Sequence, residues 1–366
     1  MQGLPQRHSL VGQAVVCLNT AIAAGQWREW LPAERTLCDM LQVSRSTLRR
    51  ALAQLSRDLV IRAEHGEGNR ILRSVPPTHR PLRSHDVALL VPEPLEHLRP
   101  TQTLWIDELR AMLGERGCQL HVMHGQQYFR ARPGAALDRL VRQHPHGCWI
   151  LMRANAACQL WFTQRKLPCL VAGSCHAGVD LPSRDLDHRA ACRHAAGVLL
   201  GLGHRNLAIF AERTRFAGDI ESEAGFLEAV NRSRRPDAKA LICPYNPTTA
   251  GIMKTLRQIM SQRDRPTALV VPNAFHYLTV LTGLAQMGWR VPEQVSLISR
   301  DEDLFLSFLV PEPARYVTSP HEFARALLLP VIELLEGAAV GKRASLLMPK
   351  FVRGASIGVA PKSVTV

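Results

Sequence analysis

Long apolar runs are missing from the sequence. Nowhere do eighteen apolar residues follow one another, and the first thirty residues hold no apolar stretch behind basic residues. A membrane-spanning helix needs about 20 apolar residues, and a secretion signal needs a basic start followed by an apolar segment. We therefore expect a cytoplasmic protein without a membrane partner.

Motifs for cofactors and catalysis are also scarce. The patterns GxGxxG, GxxxxGK and HExxH, which bind dinucleotides, nucleoside phosphates and catalytic zinc, do not occur.

The nine cysteines show no repeating spacing, which favours reduced thiols. One group of soft ligands comprises Cys169, Cys175, His176, His188, Cys192 and His194. Because no CxxC or HxxxH pair sets a tetrahedral site, structural side chains explain this group better than a metal does. We expect no catalytic residues, no cofactor and no metal.

Lysine is rare, and the positive charge is carried by arginine. Six of the 45 basic residues are lysine, and the formal net charge is +14. Residues 1–85 hold twelve arginines against six acidic residues, whereas the much longer remainder holds 33 basic against 25 acidic residues. Dense positive charge favours nucleic acid, because neutralised phosphates release counterions. At 366 residues the chain has room for two or three domains.

Apolar periodicity predicts a helix over 44–55, with Ser44 as its N-cap and one buried stripe. A shorter helix over 33–41 precedes it across the turn Gln42-Val43, which is helix-turn-helix spacing. The polar face of the second helix carries Arg45, Ser46, Thr47, Arg49 and Arg50. Arginine there can address guanine edges or phosphates. The alternative is a solvated helix face without a ligand.

Two short strands, 59–61 and 70–72, flank residues 65–68 and predict a β-hairpin. With the preceding helices, the motifs LPAER, VSRSTLRRAL and GEG resemble the winged helix-turn-helix domain of the GntR family of bacterial transcription regulators. The resemblance implies double-stranded operator DNA as a partner. The residues expected to contact it are Arg35, Ser44, Arg45, Ser46, Thr47, Arg49, Arg50, Gly66 and Gly68. Gln42 and Asp58 depart from the family, which usually has glycine there; a residue with a side chain at positive φ costs about 1 kcal/mol, and somewhat less if it is aspartate.

The domain boundaries follow from composition. A helix over 9–24 opens the winged helix-turn-helix domain, which we place at 1–73. Residues 74–85 contain Pro76, Pro77 and Pro81 among polar residues, so they are expected to form a semi-rigid linker. Residues 86–366 form the remaining domain.

From residue 86 onward, short apolar strands alternate with helix-length segments such as 104–116 and 137–144. The first set of strands is predicted at 87–91, 119–123, 148–152 and 169–172. The second set is predicted at 207–210, 240–243, 268–271 and 295–299. This alternation predicts an α/β fold of two lobes with parallel sheets and late elements returning across. Ligands bind such folds in the cleft beyond the carboxyl ends of the strands.

The segments LLGLGH (199–204), AGF (224–226), PTALVVPN (266–273) and GWRVPEQVSLISRD (288–301) occur in the order typical of LacI/GalR-type effector domains. The resemblance covers about 270 residues and implies a bilobed, periplasmic-binding-protein-like domain that dimerises and binds a small polar effector, expected to be a carbohydrate. The expected effector contacts are Asn273, Asp301, Asp187, Ser222 and Trp105.

Two positions depart from that family. Ser222 stands where the family has an arginine, and Ala274 stands where it has an aspartate, so we expect a bidentate hydroxyl clamp to be lost. Asp301 could equally serve packing or capping at a strand end. The predicted function is a repressor whose operator affinity is controlled by the effector. The alternatives are an enzyme or a transport-type sugar-binding protein on the same lobes.

Overall fold

The computed structural model describes residues 10–23, 26–27, 29–57, 60–64, 68–72, 85–213, 216–338, 340 and 344–361. The chain divides into two compact units, Met1–Leu82 and Arg83–Val366. Except for His85, the expected linker at 74–85 lies outside the described residues.

The N-terminal unit contains three helices and a two-stranded hairpin: α1 (Leu10–Ala23), α2 (Glu34–Leu41), α3 (Arg45–Arg57), β1 (Ile61–Glu64) and β2 (Gly68–Ile71). The apolar stripe of α3 is buried as its spacing predicts, and it packs with Leu18 and Leu37 into one core. Gln42 ends α2 in the left-handed conformation, with φ at 52°. The chain therefore accepts a side chain at a position where glycine would be unstrained.

The hairpin lies two residues later than predicted on its first strand. Ile61 pairs with Ile71 and Glu64 pairs with Gly68 in an antiparallel register. The apolar pair is buried at the base of the hairpin, which sets the register because strand side chains alternate between faces.

The C-terminal unit has two lobes, each with a six-stranded sheet. In lobe 1 the strands are β3 (Val87–Val91), β4 (Leu120–His124), β5 (Cys148–Met152), β6 (Cys169–Ala172), β7 (Ser183–Leu186) and β13 (Ala344–Leu347). Their order is β13-β7-β6-β5-β3-β4, and all neighbours are parallel. The helices of this lobe are α4 (Pro100–Gly114), α5 (Gly134–Gln143), α6 (Ala156–Arg165) and α11 (Pro320–Leu335). Apolar cores lie on both faces of the sheet, which explains why its strands are apolar throughout.

Lobe 2 repeats this plan. Its strands are β8 (Asn206–Glu212), β9 (Lys239–Tyr245), β10 (Ala268–Val271), β11 (Ser296–Ser299), β12 (Ala314–Val317) and β14 (Lys350–Val352). Their order is β14-β12-β11-β10-β8-β9, with only β14 antiparallel to its neighbour. The helices are α7 (His188–Gly201), α8 (Ala217–Asn231), α9 (Thr249–Met260) and α10 (Ala274–Gln286). Three short 3₁₀ helices, Leu95–His97, Gln126–Phe129 and Leu304–Phe308, lie in loops of the two lobes.

The prediction of two lobes with parallel sheets is confirmed, but the strand count was wrong. Eight of the twelve strands were predicted, and β7, β12, β13 and β14 were not. These four are three or four residues long, and β7 carries the polar sequence SRDL. The late elements return as expected, since α11 and β13 join lobe 1 and β14 joins lobe 2. The carboxyl ends of the parallel strands of both lobes therefore face one cleft.

Candidate nucleic-acid interface and ligand cleft

The start of α3 is organised by Ser44. Its Oγ accepts a hydrogen bond from the N–H of Thr47 at 3.2 Å and lies 2.9 Å from the hydroxyls of both Ser46 and Thr47. Ser44 is therefore the N-cap that its position predicts. The expected contact residues that are exposed beside it are Arg35, Arg45, Ser46, Arg49 and Arg50, and Thr47 is half-buried.

One of these arginines has a partner. Arg49 Nε lies 3.1 Å from Glu34 Oε2, which ties α3 to α2, but both side chains are exposed. Such a pair contributes about 0–1 kcal/mol, so phosphate or a base can replace Glu34 at little cost. On the hairpin, Gly68 has φ at 116°, a conformation that favours glycine. Gly66 and Asp58 lie outside the described residues.

A cavity of about 250 Å³ lies between the lobes of the C-terminal unit. Aromatic rings from both lobes line it, together with polar groups that follow strand ends. The aromatic members are Trp105, Phe210, Phe216, Tyr245, Tyr316 and Phe323. The ionisable members include Arg99, Arg153, Asp185, His188, Glu212, Asp219, Arg300 and Asp301. A concave site with a few fixed polar groups is the usual form of a small-molecule site.

Asp301 and Arg300 form the centre of a buried network. Arg300 donates to both carboxylate oxygens of Asp301, from Nε at 2.9 Å and from Nη2 at 3.3 Å. From lobe 1, Arg99 Nη1 donates to Asp301 Oδ2 at 2.5 Å. Burial alone would raise the pKa of Asp301, but the charges of Arg300 and Arg99 outweigh it and hold the pKa well below its usual range. The carboxylate is therefore charged, and both of its oxygens accept hydrogen bonds from arginine.

An arginine guanidinium lies beside Ser222 in the cleft. Arg300 Nη1 donates to Ser222 Oγ at 2.8 Å and to Asp219 Oδ1 at 3.0 Å. Ser222 in turn donates to the Gly218 carbonyl, one turn earlier in α8. The guanidinium that follows β11 thus occupies the space beside the small side chain at 222, with its N–H groups bound to protein side chains. The expected loss of a bidentate clamp for ligand hydroxyls stays a prediction.

The other expected effector residues divide into two groups. Asn273 lines the cleft, and its Oδ1 caps α10 by accepting the N–H groups of Phe275 and His276, which leaves its amide N–H groups for other partners. Trp105 also lines the cleft and packs edge-on against Phe323. Asp187 is not among the cleft-lining residues. Its Oδ1 accepts the N–H of Ala190 at 2.8 Å, so it is the N-cap of α7.

A second polar cluster lies on the lobe 2 side of the cleft. Tyr245 Oη lies 2.6 Å from His276 Nδ1, and Glu212 Oε1 lies 3.3 Å from the same nitrogen. Burial, aided by the positive charges of Arg99 and Arg153, lowers the pKa of His276 to about 4. Burial also raises the pKa of Glu212. His276 is therefore neutral at neutral pH and presents an uncharged ring.

The sequence prediction missed most of the charged cleft residues. Arg153 and Arg300 directly follow β5 and β11, and Glu212 is the last residue of β8. The signal that could have found them is position alone, because residues just beyond the carboxyl ends of parallel strands face the site.

Two further patterns have structural explanations. Cys169 and Cys192 belong to different apolar cores, and the described residues contain no group of three His, Cys, Asp or Glu side chains placed to hold a metal. Gly354–Gly358 has the GxSxG spacing of serine hydrolases, which sequence reasoning overlooked. Ser356 there is buried and donates to the Leu297 carbonyl at 2.5 Å while accepting the N–H of Ala314, so it ties strands together. Within the described residues no helix has the length and apolarity to cross a membrane.

Each of the two units matches a known family model. Residues 12–71 match the model for bacterial regulatory proteins of the gntR family, and residues 196–357 match a periplasmic binding protein-like domain. The arabinose metabolism transcriptional repressor of Geobacillus stearothermophilus is 22% identical over 296 residues, covering 78% of this chain and 79% of that protein.

Solved structures agree in fold. A LacI family transcriptional regulator from Enterococcus faecium with bound ribose superimposes with a TM-score of 0.63 at 15% identity, over 75% of this chain and 99% of that one. The transcriptional regulator CelR in complex with cellobiose gives a TM-score of 0.66 at 19% identity, over 86% of this chain and 92% of that one.

The fold and these relatives define the class: the chain is an effector-controlled, DNA-binding transcription regulator of the repressor type. More particularly, it joins a winged helix-turn-helix domain that matches the gntR family to a periplasmic-binding-protein-like domain with the fold of the LacI family regulators.

Proposed function

We propose that the cleft binds a small polyhydroxylated ligand of the carbohydrate class, and that this ligand controls operator affinity by binding alone, without chemistry. The cleft geometry carries the proposal: aromatic rings from both lobes surround polar side chains that are already held by hydrogen bonds. Rings pack against the C–H faces of a sugar, and fixed donors and acceptors select its hydroxyls. Ribose and cellobiose in the two structural neighbours support the same ligand class.

Asn273 is the residue that we assign to direct ligand contact in lobe 2. Asn273 lines the cleft, and although its oxygen is used as the α10 cap, its amide nitrogen still has two N–H donors to offer a ligand. Asp301, by contrast, already accepts hydrogen bonds from two arginines, so we do not assign it a free acceptor site for the ligand on Oδ2.

Asn273→Asp tests this assignment, because aspartate keeps the cap and removes the amide donors. Calorimetry of the full chain against ribose, arabinose and cellobiose should show binding that weakens roughly tenfold in this variant, as expected for one lost hydrogen bond of ~1.4 kcal/mol. Asp187→Asn is the matched control, since it exchanges a cap that does not line the cleft. Binding of none of the three sugars, or equal weakening in both variants, contradicts the proposal.

For DNA, we propose that α3 lies in the major groove with Arg45 and Arg49 at its cap end, and that the hairpin approaches the neighbouring backbone through Gly68. Exposure of these side chains and the left-handed φ of Gly68 support this arrangement. Affinity should then fall steeply with salt, because phosphate contacts release counterions.

We also propose a homodimer, since a two-fold protein matches a palindromic operator. Lobe 2 offers a surface for it: Phe275, Leu304, Phe308 and Val310 are exposed, with Phe308 83% and Val310 92% accessible. Exposed apolar surface is typical of protein interfaces. Phe308→Glu should turn the dimer into a monomer in sedimentation of the full chain. A wild-type monomer, or a dimer that survives this substitution, contradicts the proposal.

A further inference from the structure

Two arginines of lobe 1 reach across the cleft to lobe 2. Arg99, at the N-cap position of α4, contacts Asp301 beyond β11 at 2.5 Å. Arg153, which follows β5, lies 5.2 Å from the ring centroid of Phe216, which precedes α8. Both contacts join the lobes across the cleft, independently of the chain segments that connect them.

The acceptor sites of Asp301 are nearly exhausted by the protein itself. Each carboxylate oxygen has two lone pairs. Among the residues that the structure describes, Oδ2 accepts from Arg99 and from Arg300, whereas Oδ1 accepts from Arg300 alone. A ligand that takes Oδ2 must therefore displace one of the two arginines.

Arg99 is the arginine that can leave. The Arg300 side chain is 8% exposed, and its guanidinium also donates to Asp219 and Ser222. The Arg99 side chain is 23% exposed, and among the described residues its one ion pair is with Asp301. Rotation of Arg99 into solvent would leave Asp301 still paired with Arg300.

Arg153 makes a second contact between lobe 1 and lobe 2. Its φ of 51° is unusual for a residue with a side chain and persists only where the surroundings hold it. This conformation keeps its side chain at the cleft, where its described contact is the Phe216 ring rather than a carboxylate. A cation over an aromatic ring is attracted by the ring's negative face.

We infer that Arg99 and Asp301 form a latch, an ion pair that ties the two lobes together across the cleft, and that Arg99 is a specificity-determining residue of this cleft. A ligand that replaces it must supply hydrogen-bond donors to a carboxylate, as adjacent hydroxyls do. The assignment of specificity to Arg99 rests on the proposed function, whereas the latch does not.

Hydrogen exchange on the full chain without ligand tests the latch. Arg99→Gln removes the cross-cleft charge but leaves Asp301 paired with Arg300, so the fold should persist. Amide exchange should rise roughly fivefold or more in segments 99–105 and 216–222, one on each side of the cleft. Arg99→Lys, which keeps the charge, should recover part of the protection.

Arg205→Gln is the matched control, because it breaks the 2.9 Å pair with Asp237 within lobe 2. Unchanged exchange of the two cleft segments in Arg99→Gln, an equal rise in the control, or a uniform rise that includes β3 and β10 overturns the latch. Since no ligand is present, failure here leaves the sugar titrations standing, and failure of those titrations leaves the latch standing.

Discussion

The arginines of α3 and those of the cleft differ in exposure and in partners. Arg45 and Arg50 are exposed, and Arg49 has one partner in an exposed pair. Arg300 is buried and makes four hydrogen bonds to three side chains. One residue type thus gives an available surface charge in the N-terminal unit and a fixed structural charge in the cleft.

The difference follows from solvation. An exposed ion pair exchanges with water and salt and contributes about 0–1 kcal/mol. A buried pair is costly to form, but removal of one partner strands the other charge and costs about 3–5 kcal/mol. Substitution of an arginine on α3 should therefore weaken DNA binding, whereas substitution of the buried arginine in the cleft should lower folding stability.

The largest effect is expected for Arg300→Met. This change leaves Asp301 and Asp219 without their shared partner, so unfolding of the C-terminal unit should become easier by about 3–5 kcal/mol. Urea unfolding followed by circular dichroism measures it. Arg205→Met, at an exposed pair, is the control. A loss of unfolding free energy below about 1 kcal/mol would mean that Arg300 and its carboxylate partners do not stabilise the fold together.

A smaller, pH-dependent effect is expected at His276. Its pKa is about 4 in the folded protein and near 6.5 when unfolded, so the unfolded chain binds the proton more readily. The stability contributed by the neutral ring is complete above pH ~6.5 and falls as the pH drops toward 4, by at most about 3 kcal/mol. His276→Gln should remove this part of the pH dependence. Parallel stability curves for the two proteins between pH 7 and 4 would contradict the assignment.

Substitution on α3 should change binding and leave folding intact. Arg45→Ala or Arg49→Ala should weaken binding to a duplex selected from a random DNA pool by about 1–3 kcal/mol, as for loss of a bidentate base contact. Fluorescence anisotropy measures the affinity, and thermal unfolding checks the fold. Glu34→Gln, which releases Arg49, should change stability by no more than about 0.5 kcal/mol. Full affinity in both arginine variants would remove α3 from the interface.

Buried elements were the ones that the sequence predicted well. β3, β5, β6 and β10 match their predicted bounds because both faces of each strand are packed, which leaves a continuous apolar run. The missed β7 is held between β6 and β13 by backbone pairing, and its sequence SRDL is mostly polar, with Asp185 lining the cleft. Periodicity cannot detect a strand whose side chains are chosen for a site.

The site was predictable only in part. The resemblance pointed to Asn273 and Asp301, and both line the cleft. It could not indicate that Arg300 fills the space beside Ser222, or that Arg99 crosses to Asp301, because residues 99 and 301 are 202 positions apart and meet only through the fold. Asp187 differs from these residues, because the resemblance pointed to it as an effector contact but its side chain caps α7 and it does not line the cleft.

The central claim is that a ligand in the cleft controls the DNA affinity of the N-terminal unit. Titration of the selected duplex with the full chain, in the presence and absence of ribose, arabinose or cellobiose, tests it most directly. The account predicts that at least one sugar shifts the dissociation constant by roughly fivefold or more, and that Asn273→Asp reduces the shift. DNA affinity that stays the same with every sugar, at concentrations that saturate the cleft by calorimetry, would contradict it.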